Sequence, residues 1–303
     1  MQQLYGYLKT YFRLLNPGVV AVTALFLTVA IYINYSNGLD RYISLMPGNA
    51  ERTGAYALLL FLVFGGTYAI QIAFRQMALP RSGFFYLLLF TAILLFAAKM
   101  GIRFYANPDV PVLNFPDGRY WNLILHWPVK AILLFFILVI LWKVDGHPHT
   151  GPGLRYNADI GHYLPFLLVM LPILYIAAGG QSFQNSYPKF QQVQFIEAVS
   201  SQSWLWYLLY ELSYGIDFFS IEFFFRGFLV LAFARYAGIQ AILPMAAFYC
   251  VIHFGKPVAE CISSFFGGMI LGAIVYHSKS IWGGLLVHLG IAWAMELLVW
   301  IRN

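Results

Sequence analysis

Charged side chains are scarce in this sequence of 303 residues. They make up 10% of the residues, whereas hydrophobic residues make up 61% and aromatic residues 19%. Soluble globular proteins carry about 25% charged residues, so the composition is typical of a polytopic α-helical membrane protein instead. The basic residues leave a formal net charge of +6 without forming a dense cluster. This pattern favours contact with anionic lipid headgroups and argues against nucleic acid as a partner.

Cysteine is almost absent, and no cleavable leader stands out. Cys250 and Cys261 are the only cysteines and lie in apolar stretches, which predicts buried free thiols, not a disulfide framework or a thiolate zinc site. Lys9 and Arg13 precede the apolar run 19–35, which lacks a small-residue cleavage site. We therefore expect that run to be a retained first span.

Long apolar runs make up most of the remaining sequence. Because a helix needs about 20 residues to cross a bilayer, these runs predict an all-α, polytopic membrane protein of eight or nine transmembrane helices. The predicted spans are 18–35, 54–74, 84–100, 123–144, 163–178, 204–236, 239–254, 258–276 and 281–300. The run 204–236 is too long for one perpendicular crossing, so we expect it to tilt, to kink near Gly215 or to leave the bilayer.

The distribution of ionisable residues divides the chain. Few lie inside the predicted spans before Ser203, and many lie in or beside the spans after it. This shift predicts an N-terminal transmembrane frame of about five helices (1–200) and a C-terminal helical core with the polar site (201–303), within one membrane domain. The histidines His147 and His149, with Asp159 and His162, lie in a Gly/Pro-rich stretch and are interpreted as a solvated loop.

The candidate functional residues lie on three predicted helices. Glu222 and Arg226 are four residues apart, so they share one helix face and can form a pair. Ionisable groups inside a span are costly and indicate function by default, although such a pair can also tie helices together. His253 and His288 fall on two later helices. Ionisable residues on three separate helices cannot all be explained by stabilisation within one helix.

Three segments resemble the motifs of a known family. They are Ile-Glu-Phe-Phe-Phe-Arg-Gly (221–227), Tyr-Cys-Val-Ile-His-Phe-Gly-Lys-Pro (249–257) and His-Leu-Gly-Ile-Ala (288–292). They resemble Glu-Glu-x-x-x-Arg, Phe-x-x-x-His and His-x-x-x-Asn of the CAAX protease and bacteriocin-processing family of intramembrane proteases. The resemblance covers about the last hundred residues and identifies a divergent, type II CAAX prenyl endopeptidase-like member.

Two motif positions depart from the family. Ile221 replaces the first Glu, which is usually assigned as the water-activating carboxylate, and Ala292 replaces the Asn that is thought to contact the oxyanion. Asp217 lies one turn before Ile221 on the same face of the predicted helix. We therefore add Asp217 to the candidate site as a carboxylate near the vacated position.

The resemblance implies peptide hydrolysis. Glu222 and His253 would activate water, and His288 would donate to the oxyanion. Glu222, His253 and His288 also form a set that could hold a catalytic zinc ion, with an open position for water. Both zinc and a metal-free glutamate mechanism are known proposals for the family, and the sequence leaves both open.

Three functions fit these residues. The first is an intramembrane endopeptidase acting on a membrane-embedded or lipidated peptide, in the inner membrane of a bacterium. The second is a catalytically impaired homologue that acts as a membrane binding, scaffold or immunity-type protein, which Ile221 and Ala292 favour. A proton-coupled transporter would also explain buried carboxylates, but it predicts broken-helix repeats that the sequence does not show.

Overall fold

The computed structural model describes residues 2–103, 117–146, 153–156 and 158–302, without the side chains of residues 158–160. His147, His149 and the side chain of Asp159 therefore lie outside the described part of the chain. Within that part the secondary structure is helical, apart from one antiparallel bridge between Leu154 and Ser280.

The helices, in chain order, are α1 (Gln2–Leu14), α2 (Pro17–Asn37), α3 (Leu39–Ser44), α4 (Asn49–Leu60), α5 (Gly66–Ala73), α6 (Gly83–Gly101), α7 (Gly118–Val144), α8 (Leu164–Ala177), α9 (Gln181–Gln184), α10 (Ser203–Glu222), α11 (Ala234–Ala237), α12 (Ile242–Val251), α13 (Val258–Ser278) and α14 (Trp282–Arg302). Two π-helical segments interrupt them, π1 (Phe61–Gly65) and π2 (Phe223–Ala232). Three 3₁₀ segments complete the described elements: Ala158–Tyr163, Lys189–Ala198 and Gly238–Ala241.

Six stretches of the described chain are long and apolar enough to cross a membrane. They are α2, Asn49–Ala73, α6, α7, α13 and α14. The predicted all-α, polytopic architecture is therefore confirmed, and the protein is an integral membrane protein. The exact count of eight or nine spans is not confirmed.

The physical reason for the difference in count lies in three of the predicted spans. The fifth is α8, which has 14 residues, and the seventh is α12, which has 10. Both are shorter than the roughly 20 residues that one crossing needs. The sixth contains α10, which has the length but carries three carboxyl groups, Glu211, Asp217 and Glu222.

The first span shows how local sequence sets helix ends. Asn16 caps α2, since its side-chain oxygen accepts a hydrogen bond from the N–H of Gly18 at 2.9 Å, and Pro17 occupies the first turn, where no N–H is needed. Gly38 ends the helix with a φ of 65°, a left-handed conformation that glycine adopts without strain. The predicted span 18–35 therefore matches α2 within two residues at either end.

The sixth predicted span contains a feature that the sequence did not predict. The α-helix runs without interruption through Gly215 to Glu222, so there is no break at Gly215, and the helix then changes to π-helical geometry at Phe223. π-Helical segments are rare and are frequent at functional sites. The change falls inside the first motif.

Backbone contacts group the chain into two compact units. The first consists of Met1–Ile102, Leu138–Tyr156 and Phe223–Ile281, and the second of Arg103–Ile137, Asn157–Glu222 and Trp282–Asn303. The predicted division at residue 200 stays a prediction.

The first unit has an aromatic core where π1, π2 and α12 pack together. Phe248 of α12 contacts Phe64 and Phe225 edge-on, with ring centroids 5.3 and 5.4 Å apart, and all three rings are fully buried. Helix α1, which was not predicted, packs on α13, where the rings of Tyr7 and His277 stack at 4.8 Å. These contacts fix π2, which carries Arg226 of the first motif, and α12 and α13, which flank the turn of the second motif.

The second unit is built around α14, which packs against both α8 and α10. Glu296 of α14 accepts a hydrogen bond from the N–H of Lys189 at 2.5 Å, and the hydroxyl of Tyr210 of α10 donates to the carbonyl of Lys189 at 3.0 Å. The 3₁₀ segment Lys189–Ala198 is thus attached to both helices, and this attachment fixes the register between α10 and α14.

Candidate active site

The first motif ends one helix type and begins another. Glu222 is the last residue of α10, and its side chain is fully buried. Phe223 begins π2, all of whose residues are buried, including Arg226. The carboxyl group of Glu222 is therefore held rigidly, without access to bulk water.

Glu222 is hydrogen-bonded to His288, a residue of the third motif. The His288 Nδ1 atom lies 2.9 Å from the Glu222 Oε1 atom, and 14% of the His288 side chain is exposed. A carboxylate oxygen accepts hydrogen bonds, so Nδ1 is the donor in this bond. We refer to these two residues as the Glu222–His288 pair.

A glycine of α14 allows this pair to form. Gly284 lies one helical turn before His288, and a Cβ atom at this position would lie only 2.8 Å from the Glu222 Oε2 atom. A side chain at residue 284 would therefore push the carboxyl group of Glu222 away from α14. The His288 ring also contacts Phe218, whose ring meets it edge-on at 4.7 Å.

The position of the missing Asn is apolar. Ala292 is fully buried in a cluster with Tyr214 and Phe218 of α10. A methyl group in this cluster offers no hydrogen bond to an oxyanion. The departure at Ala292 is therefore accompanied by apolar packing around it.

Arg226 of the first motif and two residues of the second motif form a stack of three side chains in the first unit. The guanidinium carbon of Arg226 lies 4.3 Å from the ring centroid of Tyr249, within the range of a cation–π interaction. The ring of Tyr249 meets the ring of His253 at 4.7 Å with an interplanar angle of 70°. We refer to these residues as the Arg226–Tyr249–His253 stack.

The ring of His253 is oriented by the backbone of its own helix. Its Nδ1 atom lies 2.7 Å from the carbonyl oxygen of Tyr249, one turn earlier. A carbonyl oxygen accepts only, so Nδ1 is the nitrogen that donates in this bond. His253 is partly exposed and lies just beyond α12, in the turn that leads to α13.

Asp217 lies on α10, one turn before Ile221, and is partly buried. Its Oδ1 atom accepts a hydrogen bond from the hydroxyl of Ser220 at 3.1 Å. Its predicted role as a replacement carboxylate stays a prediction. The predicted pairing of Glu222 with Arg226 likewise stays a prediction.

The structure thus groups four of the five predicted residues into the Glu222–His288 pair and the Arg226–Tyr249–His253 stack. Sequence reasoning missed Gly284 and the backbone role of Tyr249. The signals were present, because Gly283 and Gly284 precede His288 by about one turn and Tyr249 precedes His253 by one turn. Each spacing places the two residues on the same face of a helix.

Among the described residues there is no group of three or more His, Cys, Asp or Glu side chains arranged to hold an ion. The zinc set of Glu222, His253 and His288 stays a prediction.

The comparison with known families agrees with the motifs. Residues 200–294 match the family described as "Type II CAAX prenyl endopeptidase Rce1-like". No curated protein and no solved structure matches the chain significantly. The matched segment contains all five candidate residues, and it supports a resemblance of this part of the chain to the CAAX protease and bacteriocin-processing family.

Proposed function

We propose that this protein is an intramembrane endopeptidase that hydrolyses a peptide bond in a membrane-embedded or lipidated substrate. The observation that carries the proposal is the buried hydrogen bond between Glu222 and His288, at 2.9 Å. A carboxyl–imidazole pair inside apolar helices is costly to bury, so its presence is better explained by chemistry than by stability. The match of residues 200–294 to a peptidase family supports the same reaction.

His253 is the proposed general base. The hydrogen bond from its Nδ1–H to the carbonyl of Tyr249 orients the ring, and in the proposed reaction Nε2 takes a proton from water. The water oxygen attacks the peptide carbonyl carbon, and the proton on Nε2 then passes to the leaving amine. Since Ile221 replaces the usual carboxylate, we assign the proton transfer to His253.

His288 is the proposed oxyanion donor, and Glu222 is its positioning residue. In this role the ring donates from Nε2 to the oxyanion while Nδ1 stays bonded to Glu222. This assignment differs from the role that the family resemblance implies for Glu222, which is to activate water. A carboxylate already bound to an imidazole is better suited to fixing that ring, as in catalytic triads.

The proposed substrate and location follow from the membrane architecture. Six apolar helices put the chemistry in a bilayer, where prenylated or transmembrane peptides are the available peptide bonds. We propose the inner membrane of a bacterium as the location. Residues 1–200 are proposed to act as a frame for the core in residues 201–303.

A second candidate function has a specific observation in its favour. Ala292 is packed among Tyr214 and Phe218, so the oxyanion site lacks the side-chain amide that the family uses. A homologue that binds a membrane peptide without cleaving it, as a scaffold or immunity-type protein, fits this packing.

A cleavage assay separates the two functions. Purified protein in nanodiscs is mixed with a farnesylated peptide or a transmembrane peptide, and products are read by mass spectrometry. We expect cleavage, and a fall of about 10²–10⁴-fold in His253→Ala and in His288→Ala, as for the loss of an acid–base or oxyanion group. His277→Ala is the matched control, because this helical histidine stacks on Tyr7 outside both groups of site residues. Binding without cleavage in the unmodified protein contradicts the peptidase and supports the scaffold.

A further inference from the structure

The turn that carries His253 is hydrogen-bonded to residues of α2, which lies outside the matched segment 200–294. Residues 252–257 connect α12 to α13, and His253 and Lys256 are joined by a backbone hydrogen bond of 2.9 Å. Short turns of this kind are usually mobile unless other groups bind their backbone. Here the end of α2 supplies such groups.

Asn34 of α2 binds the residue directly after His253. Its side-chain Nδ2 atom donates to the carbonyl oxygen of Phe254 at 2.9 Å, although 220 residues separate them in sequence. The next residue, Tyr35, donates from its hydroxyl to the carbonyl of Lys256 at 2.7 Å. Two of the carbonyl groups of the turn are thus fixed by neighbouring residues of one helix.

Asn34 is itself held in place. It is only 3% exposed, and its Oδ1 atom accepts a hydrogen bond from the N–H of Asp40 at 2.9 Å. The carboxylate of Asp40 in turn accepts from the hydroxyl of Tyr56 at 3.0 Å. Both ends of the Asn34 carboxamide are therefore used, one to fix the side chain and the other to fix the turn.

The fit of the turn against this group is close. A Cβ atom at Gly255 would lie 2.8 Å from the Asp40 Oδ2 atom, so only glycine lets the turn approach the carboxylate. The approach of Gly255 and the bond to Phe254 place two consecutive residues of the turn on the α2–α3 corner. His253 immediately precedes them.

We propose that Asn34 is a positioning residue for His253, acting through the Phe254 carbonyl. This inference rests on the proposed function, in which His253 is the base. The N-terminal region then contributes to catalysis by fixing the geometry of a group that lies in the C-terminal motif. Asn34 does not touch the reacting atoms.

The test compares two buried amides that make the same kind of bond. Asn34→Leu removes the bond to the turn. Gln71→Leu is the matched control, because Gln71 is also fully buried and donates from Nε2 to a distant carbonyl, that of Gln240, at 3.0 Å. Tyr35→Phe removes only a hydroxyl at a 38% exposed position and serves if Asn34→Leu does not fold.

Two readouts are measured for each variant. One is the rate of peptide cleavage, and the other is the rate at which diethyl pyrocarbonate modifies His253, with His277 of the same molecule as the internal reference. We expect Asn34→Leu to lower kcat about 10-fold or more, because small misplacements of a catalytic group are costly. We also expect it to change the modification rate of His253 relative to His277, and Tyr35→Phe to change it less, in the same direction.

The inference is overturned if Asn34→Leu and Gln71→Leu change the modification rate of His253 equally. If Asn34→Leu does not fold, it is overturned when Tyr35→Phe leaves the modification rate of His253 unchanged. The two proposals fail separately. If the unmodified protein cleaves nothing, the proposed function fails, whereas the modification rate still reports whether Asn34 fixes His253.

Discussion

Gly284 sets how closely the Glu222 carboxyl group can approach α14. Most glycines in a helix interior lower its stability, and replacement by alanine gains about 1 kcal/mol. At Gly284 a methyl group would lie 2.8 Å from Glu222 Oε2, and Glu222 is fully buried, so its carboxyl group can move only by weakening the bond to His288. Gly284 is therefore important because its lack of a side chain leaves room for the carboxyl group of Glu222.

We expect Gly284→Ala to lower cleavage about 10–100-fold, since a hydrogen bond to a charged group is worth about 1.5–3 kcal/mol. Gly267→Ala in α13 is the control, because no atom lies within 4 Å of the added methyl group. This control should keep its activity and gain up to about 1 kcal/mol of stability from helix propensity. Equal activity of the two variants contradicts the role given to Gly284.

Asp40 makes the stability of the α2–α3 corner depend on pH. Burial raises the pKa of its carboxyl group, and the hydrogen bond from Tyr56 offsets this shift in part. A raised pKa in the folded protein means that the folded state binds the proton more tightly than the unfolded state. The protonated Asp40 carboxyl group therefore contributes to the free energy of unfolding below the ordinary Asp pKa of about 4. This contribution is lost as the pH rises through the higher pKa that Asp40 has in the folded protein.

Asp40→Asn removes this titration and keeps an oxygen for Tyr56 to bind. We expect the melting temperature of the variant, relative to the unmodified protein, to increase as the pH is raised from about 4 to 7. Asp117→Asn tests the sign, because the Arg119 side chain lowers the pKa of Asp117. Its relative melting temperature should change weakly and in the opposite direction. If the difference in melting temperature between Asp40→Asn and the unmodified protein does not depend on pH, the raised pKa of Asp40 is wrong.

At the scale of elements, the packing of α12 against α13 brings the two cysteines together. Cys250 and Cys261 are buried and free, and their sulfur atoms are 3.7 Å apart. A disulfide needs a sulfur–sulfur distance of about 2.05 Å, which side-chain rotation can supply when the backbones are already close. The bond would close the loop that contains His253.

Diamide, a small diazene oxidant, should convert this pair to an intramolecular disulfide. Both thiols lose hydrogen to the reagent, which is reduced to the hydrazine, so the chain loses two hydrogens in its intact mass, and dithiothreitol restores them. We expect the reaction to be slow, since neither sulfur is exposed, and to be absent in Cys261→Ala. If oxidation yields only dimers joined between chains, the α12–α13 packing is wrong.

The change from α10 to π2 is the element that sequence patterns predicted least well. The length of the run 204–236 indicated an irregularity, and Gly215 was the expected place for a kink. The helix instead continues past Gly215, where an added Cβ atom would lie 3.3 Å from the ring of Trp293, and changes geometry at Phe223. A π segment depends on how its buried side chains pack with other helices, and hydropathy carries no information about that packing.

For the whole molecule, the sequence predicted the helical membrane class well, whereas the roles of the candidate site residues stay predictions. Long spans such as α2 and α6 agree with their predicted bounds because their composition alone requires a bilayer. Short helices such as α8 and α12 could not be distinguished from full spans by hydropathy. The motif spacing predicted which helices carry the site, but no local pattern links Asn34 to Phe254 across 220 residues.

The single-turnover cleavage of a farnesylated peptide in H₂¹⁸O tests the central claim most directly. Hydrolysis by activated water adds one oxygen from solvent to the new carboxyl terminus, which mass spectrometry detects in the product. We predict one ¹⁸O in the product of the unmodified protein and of His277→Ala, and no product above background in His253→Ala or His288→Ala. A product that forms at the same rate in these last two variants, or no product with any protein, contradicts the account.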